Sequence, residues 1–343
     1  MAFRDVFGQE RAKRFLERLL RQKKVPHAIL FSGMKGIGKT ALAQEFAKLL
    51  NCLNPQDFDS CDVCPSCLKI RDGYHPDLVW VRSEGAFIKL DQIRNLKQRL
   101  AFRPFEGKWR IVIIEEAQNL REEAGNSLLK LLEEPPKQNL FLLTTLEPQM
   151  LLPTIVSRCC HVRLQPLDDI WIERYLIDVH GIPSSQAQRI AALAEGSMDR
   201  AKWLAEPDRI LHMNEVLENI SKLDGLPMVD FFSMMAQWAK GSEDLEQDLE
   251  CIRLWIRDLI LSRLVASHCQ VLETQEKTMN KVRHASVERL LSLYIEIENA
   301  HMLIRQNANK QLTLEGVCLS IKERLYGESS WNSVSAGRES LSF

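Results

Sequence analysis

The sequence predicts an α/β domain built on a largely parallel sheet, followed by two all-helical domains. Three observations carry that reading. Short apolar runs alternate with helix-length segments as far as Leu164, one run leads directly into a glycine-rich loop, and strand signals stop after Gln165-Pro166. The runs are Ala28 to Ser32, Leu78 to Val81, Arg110 to Ile114, Leu140 to Thr144 and His161 to Leu164. They are continuous rather than alternating, as expected of strands covered by helices on both faces. The first domain is therefore placed at 1–165. Amphipathic segments broken at Gly181-Ile182-Pro183, Gly196 and Glu206-Pro207 make a small helical domain at 166–207. Every pattern across 208–326 is helical, for example Cys251 to Leu264 and Val287 to Arg305, and the Ser- and Gly-rich stretch 327–343 reads as a disordered tail.

Length and charge narrow the function classes. A chain of 343 residues has material for several cores. Its formal charge of -1, from 45 basic and 46 acidic residues, argues against holding nucleic acid by one large basic surface, because that mode works through many Lys and Arg contacts. The start, MAFRDVFGQERAKRF, lacks a continuous apolar core, and no stretch approaches the roughly 20 apolar residues that cross a bilayer. A cytoplasmic protein with no membrane contact is expected. Nine cysteines in such a setting point to metal rather than disulfides where they cluster. Cys159, Cys160, Cys251, Cys269 and Cys318 lie outside the cluster and read as small buried apolar residues.

The glycine-rich loop is Gly33-x4-Gly38-Lys39-Thr40, with Gly36 inside it. It follows the run HAILFS and opens the amphipathic run TALAQEFAKLL. That strand-loop-helix context is what a phosphate loop needs. Backbone N–H groups freed by Gly33, Gly36 and Gly38 can close around phosphates, Lys39 can reach the outer oxygens, and Thr40 can ligate magnesium. A simple turn before a helix is the plainer alternative. The run Arg110 to Ile114 ends in Glu115 and Glu116, where an ordering carboxylate for magnesium and a water-activating one are expected. Glu115 is one methylene longer than the more usual Asp, and magnesium tolerates little departure from octahedral geometry, so binding can survive where fast hydrolysis does not. A solvated acidic pair at a strand end is the alternative.

Cys52-x8-Cys61-x2-Cys64-x2-Cys67 supplies four thiolates, enough for a closed tetrahedral zinc site. The segment has little apolar content, so metal would supply part of its folding energy. A metal-free or redox-labile thiol cluster is the alternative. His75 could replace one sulfur, though an ordinary loop histidine is the simpler reading.

Together these residues resemble the AAA+ subunits of the bacterial DNA polymerase III clamp loader. FGQE at Phe7 to Glu10, HAILFSGMKGIGKT, the x8-x2-x2 cysteine spacing, LLKLLEEPP at Leu128 to Pro136 and LLPTIVSRC at Leu151 to Cys159 carry the resemblance along nearly the whole chain. The resemblance implies ATP with Mg2+, a structural Zn2+, Thr145 as the sensor of the γ-phosphate, and Arg158 as a catalytic arginine presented in trans to a neighbouring site. It also implies a pentameric ring with gamma/tau and delta subunits, a sliding clamp as partner, and primed DNA met through the assembly. The helical domain at 166–207 becomes a lid and that at 208–326 an oligomerisation collar.

Within the family the chain looks most like delta prime, by its length, LLPTIVSRC, Glu115 and GSMDR at Gly196 to Arg200. Motor subunits place the sensor arginine where this chain has Asp199. Either Arg200 serves that role or the contact is lost. The intact phosphate loop departs from the best-known delta-prime pattern, in which that loop is degraded, so this chain is expected to bind ATP, with any ATPase activity of its own weak. On chemistry alone Arg158 could be a loop ion pair. Glu133 and Glu134 end a helix where the macrodipole disfavours anions, which calls for a partner, a tertiary hydrogen bond or full solvation. A gamma/tau-like motor that itself hydrolyses ATP is the competing function. A small-molecule P-loop kinase is disfavoured because no motif suggests a substrate pocket.

Overall fold

All five predicted runs join one parallel sheet in the computed structural model, which describes residues 6–241, 245–264, 282, 285–305 and 308–326. The tail at 327–343 and Cys269 lie outside the described residues. Strands β1 (Ala28–Ser32), β2 (Leu78–Val81), β3 (Arg110–Ile114), β4 (Asn139–Thr145) and β5 (Cys160–Arg163) lie in the order β2-β3-β4-β1-β5. β4 is one residue longer at each end than expected, because it is paired along both edges, from Arg110↔Asn139 to Ser32↔Thr145. β5 starts one residue earlier than expected. It pairs with β1 alone, and Leu164 N still donates to Ser32 O at 2.8 Å beyond its end.

Period-two alternation splits the strand residues between two cores. Ile29, Phe31, Ile111, Ile113 and Leu142 face α1 (Glu10–Arg21) and α2 (Lys39–Asn51), which contribute Leu16, Leu42 and Phe46. Leu30, Val112, Ile114 and Leu143 face the other way. There α4 (Leu90–Leu100) and α5 (Glu122–Glu133) contribute Ile93, Leu96 and Leu128. Each fully buried Phe or Leu of this kind stabilises by roughly 1.5–3 kcal/mol, which is why helices follow the strands so closely in sequence. The short helix α3 (Pro65–Arg71) packs on α2 and α6 (Pro153–Val156) on α5.

By contacts the chain falls into two compact units, Met1–Trp203 and Leu204–Phe343. α7 (Asp169–His180) and α8 (Ser184–Ala194) belong to the first unit, as does nearly all of α9 (Met198–Leu204). α7 stops at Gly181, whose φ of 65° ends the helix in the left-handed conformation.

Among the described residues the second unit contains helices and short turns and no strand. It comprises Pro207–Lys222, Met228–Gly241, Leu245–Leu264, Val287–Arg305 and Lys310–Tyr326. Trp255 and Phe231 fill its interior, and the buried Arg253 donates to Tyr294 Oη at 2.6 Å and to Glu250. Lys322 Nζ caps the end of the first of these helices through Leu223 O and Leu226 O, at 2.9 and 2.8 Å. Among the described residues no helix is long and apolar enough to cross a membrane.

Candidate functional site

In a parallel sheet every strand ends at the same edge, so the loops after β1, β3 and β4 converge there. Gly33 N donates to Thr145 O and Leu146 O, tying the first of these loops to the third. Gly36 has φ 79°, and a Cβ there would sit 2.2 Å from Ser197 Oγ, so the loop can pass close to the turn before α9 only as glycine. Gly38, φ 93°, turns the chain into α2.

The result is a cleft of about 390 Å³, within the size range of small-ligand sites. One end is charged: Lys39, Thr40, Glu115, Glu116 and Asp199 line it. The other end is apolar, walled by Val6, Phe7, Leu167 and Tyr175. Phe7 and Tyr175 meet edge to face at 5.2 Å. Gln9 locks the intervening backbone, donating to Ile37 O and Gln165 O while accepting from Gln165 N.

Lys39 Nζ donates to Gly33 O and Met34 O, both at 2.6 Å. Burial pulls its ammonium down to about 8, against the opposing fields of Glu116 and Asp199, with Lys35 adding to the fall. Thr40 Oγ1 donates to Glu115 Oε1 at 2.9 Å, and Arg82 Nε donates to Glu115 Oε2 at 2.9 Å. Glu116 is held in a left-handed conformation, φ 50°, by its own N–H on Thr144 Oγ1 and by Asn119 on its carboxylate. Thr145 lines the cleft and turns its hydroxyl to Glu147 O. Lys39, the Thr40 hydroxyl and the carboxylates of Glu115, Glu116 and Asp199 at one end, with an aromatic wall opposite, suit a nucleoside phosphate with a divalent metal. Thr40 and Glu115 are the groups that would hold the metal.

Two arginines of the sequence analysis lie outside the cleft: Arg200, expected to bind nucleotide, and Arg158, expected to face a neighbour's site. Arg200 does not line the cleft, because its guanidinium pairs with Glu195. One residue of helix rotates a side chain by about 100°, so Asp199 faces the cleft and Arg200 does not. Lys202, one turn beyond Asp199, lines it instead and lies over the Tyr175 ring at 5.3 Å. Arg158 also lies outside the cleft. It donates to Glu133 Oε1 at 2.7 Å and to Thr154 O at 3.0 Å, which supplies Glu133 with a tertiary partner at its unfavourable helix end. Lys202, Tyr175 and Arg82 escaped the sequence reading. Helical spacing from Asp199 points to Lys202, whereas nothing local marks Tyr175 or Arg82.

The four cysteines converge. Sγ atoms of Cys52, Cys61, Cys64 and Cys67 lie within 4.8 Å of one another. Ideal zinc–thiolate bonds of about 2.3 Å imply sulfur separations of roughly 3.8 Å, so the cluster is compatible with zinc. Cys61 N donates to Cys52 Sγ and Cys67 N to Cys64 Sγ, an arrangement that favours thiolates. Cys64 also caps α3, with Pro65 as its first residue. His75 is not part of the cluster. It is buried, its Nδ1 accepts from Asp77 N, and its Nε2 meets Ser66 Oγ at 3.2 Å. Burial lowers its pKa, against the opposing fields of Glu106 and Asp77, and it lies in the loop before β2.

A family model described as DNA polymerase III, delta subunit, matches residues 8–168. The delta′ subunit of DNA polymerase III from Bacillus subtilis is 30% identical over 322 residues, which cover 92% of this chain and 96% of that protein. The tau/gamma subunit of Haemophilus influenzae is 34% identical over 245 residues, 68% of this chain. The tau subunit of Escherichia coli is 37% identical over 209 residues, 60% of this chain. The chain spans about a third of those last two relatives, 36% and 32% of their lengths. With a near full-length delta′ relative and a phosphate loop set on this sheet, the chain belongs to the DNA polymerase III clamp-loader subunit family.

Proposed function

We propose that the chain is a delta-prime-type subunit that helps an ATP-driven loader place the sliding clamp on primed DNA, in the cytoplasm. One observation carries this reading. A cleft suited to ATP coexists with an arginine, Arg158, that lies outside the cleft and is held half-exposed on the surface by Glu133. An arginine so placed can serve a neighbour's nucleotide, whereas it cannot reach its own. In this reading gamma/tau and delta subunits complete the ring, the helices of 166–207 act as a lid, and 208–326 forms the collar. An exposed apolar stripe, Leu291, Ile295 and Met302, runs along one face of Val287–Arg305 and supports the collar role.

Magnesium would be held by Thr40 and Glu115 and would supply charge neutralisation for the phosphates. Lys39 binds the phosphate oxygens, Thr145 senses the outermost phosphate, and Glu116 orients water. Zinc bound by Cys52, Cys61, Cys64 and Cys67 is structural. With Arg200 paired to Glu195, the phosphates lack a sensor arginine from this chain, which supports weak intrinsic turnover.

The test is the ATPase rate of the assembled loader with clamp and primed DNA. Arg158→Ala should leave nucleotide binding by this chain intact and slow the assembly by roughly 10³-fold, the scale of an arginine supplied in trans. Lys39→Ala should abolish binding by this chain. Equal loss of binding in both variants defeats the in-trans role. A gamma/tau-like motor is the second reading, favoured by Glu116 standing in the cleft with an intact phosphate loop. Brisk turnover by the isolated chain would establish it.

A further inference from the structure

Glu115 is engaged on both oxygens by the protein itself. Thr40 Oγ1 takes one and Arg82 Nε takes the other, each at 2.9 Å. The arginine is a constructed feature rather than a stray surface charge. Its guanidinium lies 4.3 Å over the Trp80 ring, and its carbonyl accepts from Gln92 Nε2 at 2.8 Å, anchoring the chain where β2 ends. Trp80 is in turn fixed by the register Trp80↔Ile113, next to the strand end that carries Glu115. The extra methylene of Glu115 lets its carboxylate span the distance between Thr40 and Arg82.

We infer that Arg82 is a resident cation that competes with a divalent metal for Glu115, so that this cleft takes a nucleoside phosphate with weak dependence on metal. The inference rests on reading the cleft as a nucleotide site. Two consequences act in the same direction. A metal arriving at Glu115 meets a carboxylate already neutralised by Arg82 and is repelled by the guanidinium. Without metal, the phosphates meet a screened Glu115 rather than a bare anion, so metal-free binding is spared. Arg82 is 60% exposed, which keeps the effect within the range of surface ion pairs and makes its replacement safe for the fold.

The full chain is titrated with a fluorescent ATP analogue, in magnesium and in chelator, as wild type, Arg82→Gln and Lys39→Ala. Binding of Mn2+ to each protein–nucleotide mixture is read by electron paramagnetic resonance. Arg82→Gln should tighten the metal and weaken metal-free nucleotide, each by roughly two- to five-fold. An unchanged ratio of affinities with and without metal, together with unchanged Mn2+ binding, overturns the inference alone. If wild type binds no nucleotide, or Lys39→Ala binds as well as wild type, the nucleotide reading falls and this inference with it.

Discussion

A single helix carries two sites that are built on opposite principles. α2 begins at Lys39, in the nucleotide cleft, and its C-cap is Cys52, in the cysteine cluster. At the first end every catalytic-type group already has a protein partner: Lys39 on loop carbonyls, Glu115 on Thr40 and Arg82, Glu116 on Asn119. Those partners stand on the loops and helix starts that follow strands β1, β2 and β3, whose packing is independent of ligand. At the other end the cluster's apolar contacts come from the cysteines alone, Cys52, Cys64 and Cys67 with Cys61 against them. A buried ion-paired Lys48, held by Glu45 and Asp62, and Gln44 Nε2 on Ile70 O are polar ties between that segment and the helix. A site set on a packed sheet can wait for its ligand, while a site without its own core needs the ligand to exist.

The sharpest way to break this contrast is to remove the zinc proposed for the cluster. Structural zinc contributes an apparent 10–16 kcal/mol, roughly, in isolated small domains, far more than any single contact here. Chelation should therefore raise hydrogen exchange across 52–67 by orders of magnitude and leave β1 and β3 protected, with about one zinc released per chain. Equal loss of protection in the sheet would show that the two sites are one folding unit.

Next in size is the buried carboxylate of Asp77, one residue before β2. Asp77 accepts from the N–H groups of Phe105, Glu106 and Gly107 and pairs with Arg110, which also holds the carbonyls of Phe102 and Arg103. These bonds hold the Asp77 carboxyl below the ordinary carboxylate range despite its burial. Asp77→Ala strands Arg110 and should cost about 3–5 kcal/mol in chemical denaturation. A loss under 1 kcal/mol would mean that the loop at 101–107 is held by something else.

Lys39→Ala should cost less in stability but abolish nucleotide binding, because the charge-assisted bonds from its ammonium to phosphate are lost. Cluster protection should not change, and a change there would erase the distinction between the two ends of the helix.

The sheet was legible because its signals are local. Continuous apolar runs gave all five strands, with errors of a single residue at β4 and β5, where pairing on two edges or one sets the length. The phosphate loop and the cysteine spacing were legible because each is a short motif with its own chemistry. Failures came where the third dimension chooses among neighbours. Arg200 and Lys202 are both cations near Asp199, and only the helix phase together with Glu195 decides which one faces the cleft. Arg82 reaches Glu115 across a strand pair, a contact that no spacing along the chain reveals. Glu133's place at a helix end left a partner, a tertiary hydrogen bond and full solvation equally open, and only the fold brings Arg158 to it.

The smallest predicted effect concerns how the cleft tunes its lysine. Burial is the largest influence and brings Lys39 down to about 8, while Glu116 and Asp199 raise it and Lys35 lowers it. Phosphate binds the ammonium in preference to the amine, so the bound pKa lies above the free one. Below about pH 7 the lysine is charged with or without ligand, and affinity should be flat with respect to it. Above pH 8 the free protein must take up a proton to bind, and affinity should fall by up to tenfold per pH unit until the bound pKa is reached. Asp199→Asn removes a charge that raises the lysine, so the onset of the fall should move to lower pH. The same change removes an anion facing the phosphates, so affinity at pH 7 should rise. Nucleotide titrations of wild type and Asp199→Asn across pH 6.5 to 9.5, roughly the window set by Lys39, read both effects. A wild-type affinity that is flat throughout would show that burial does not perturb this ammonium. A variant that gains affinity without an earlier onset would confine Asp199 to the phosphates and leave Lys39 to Glu116 alone.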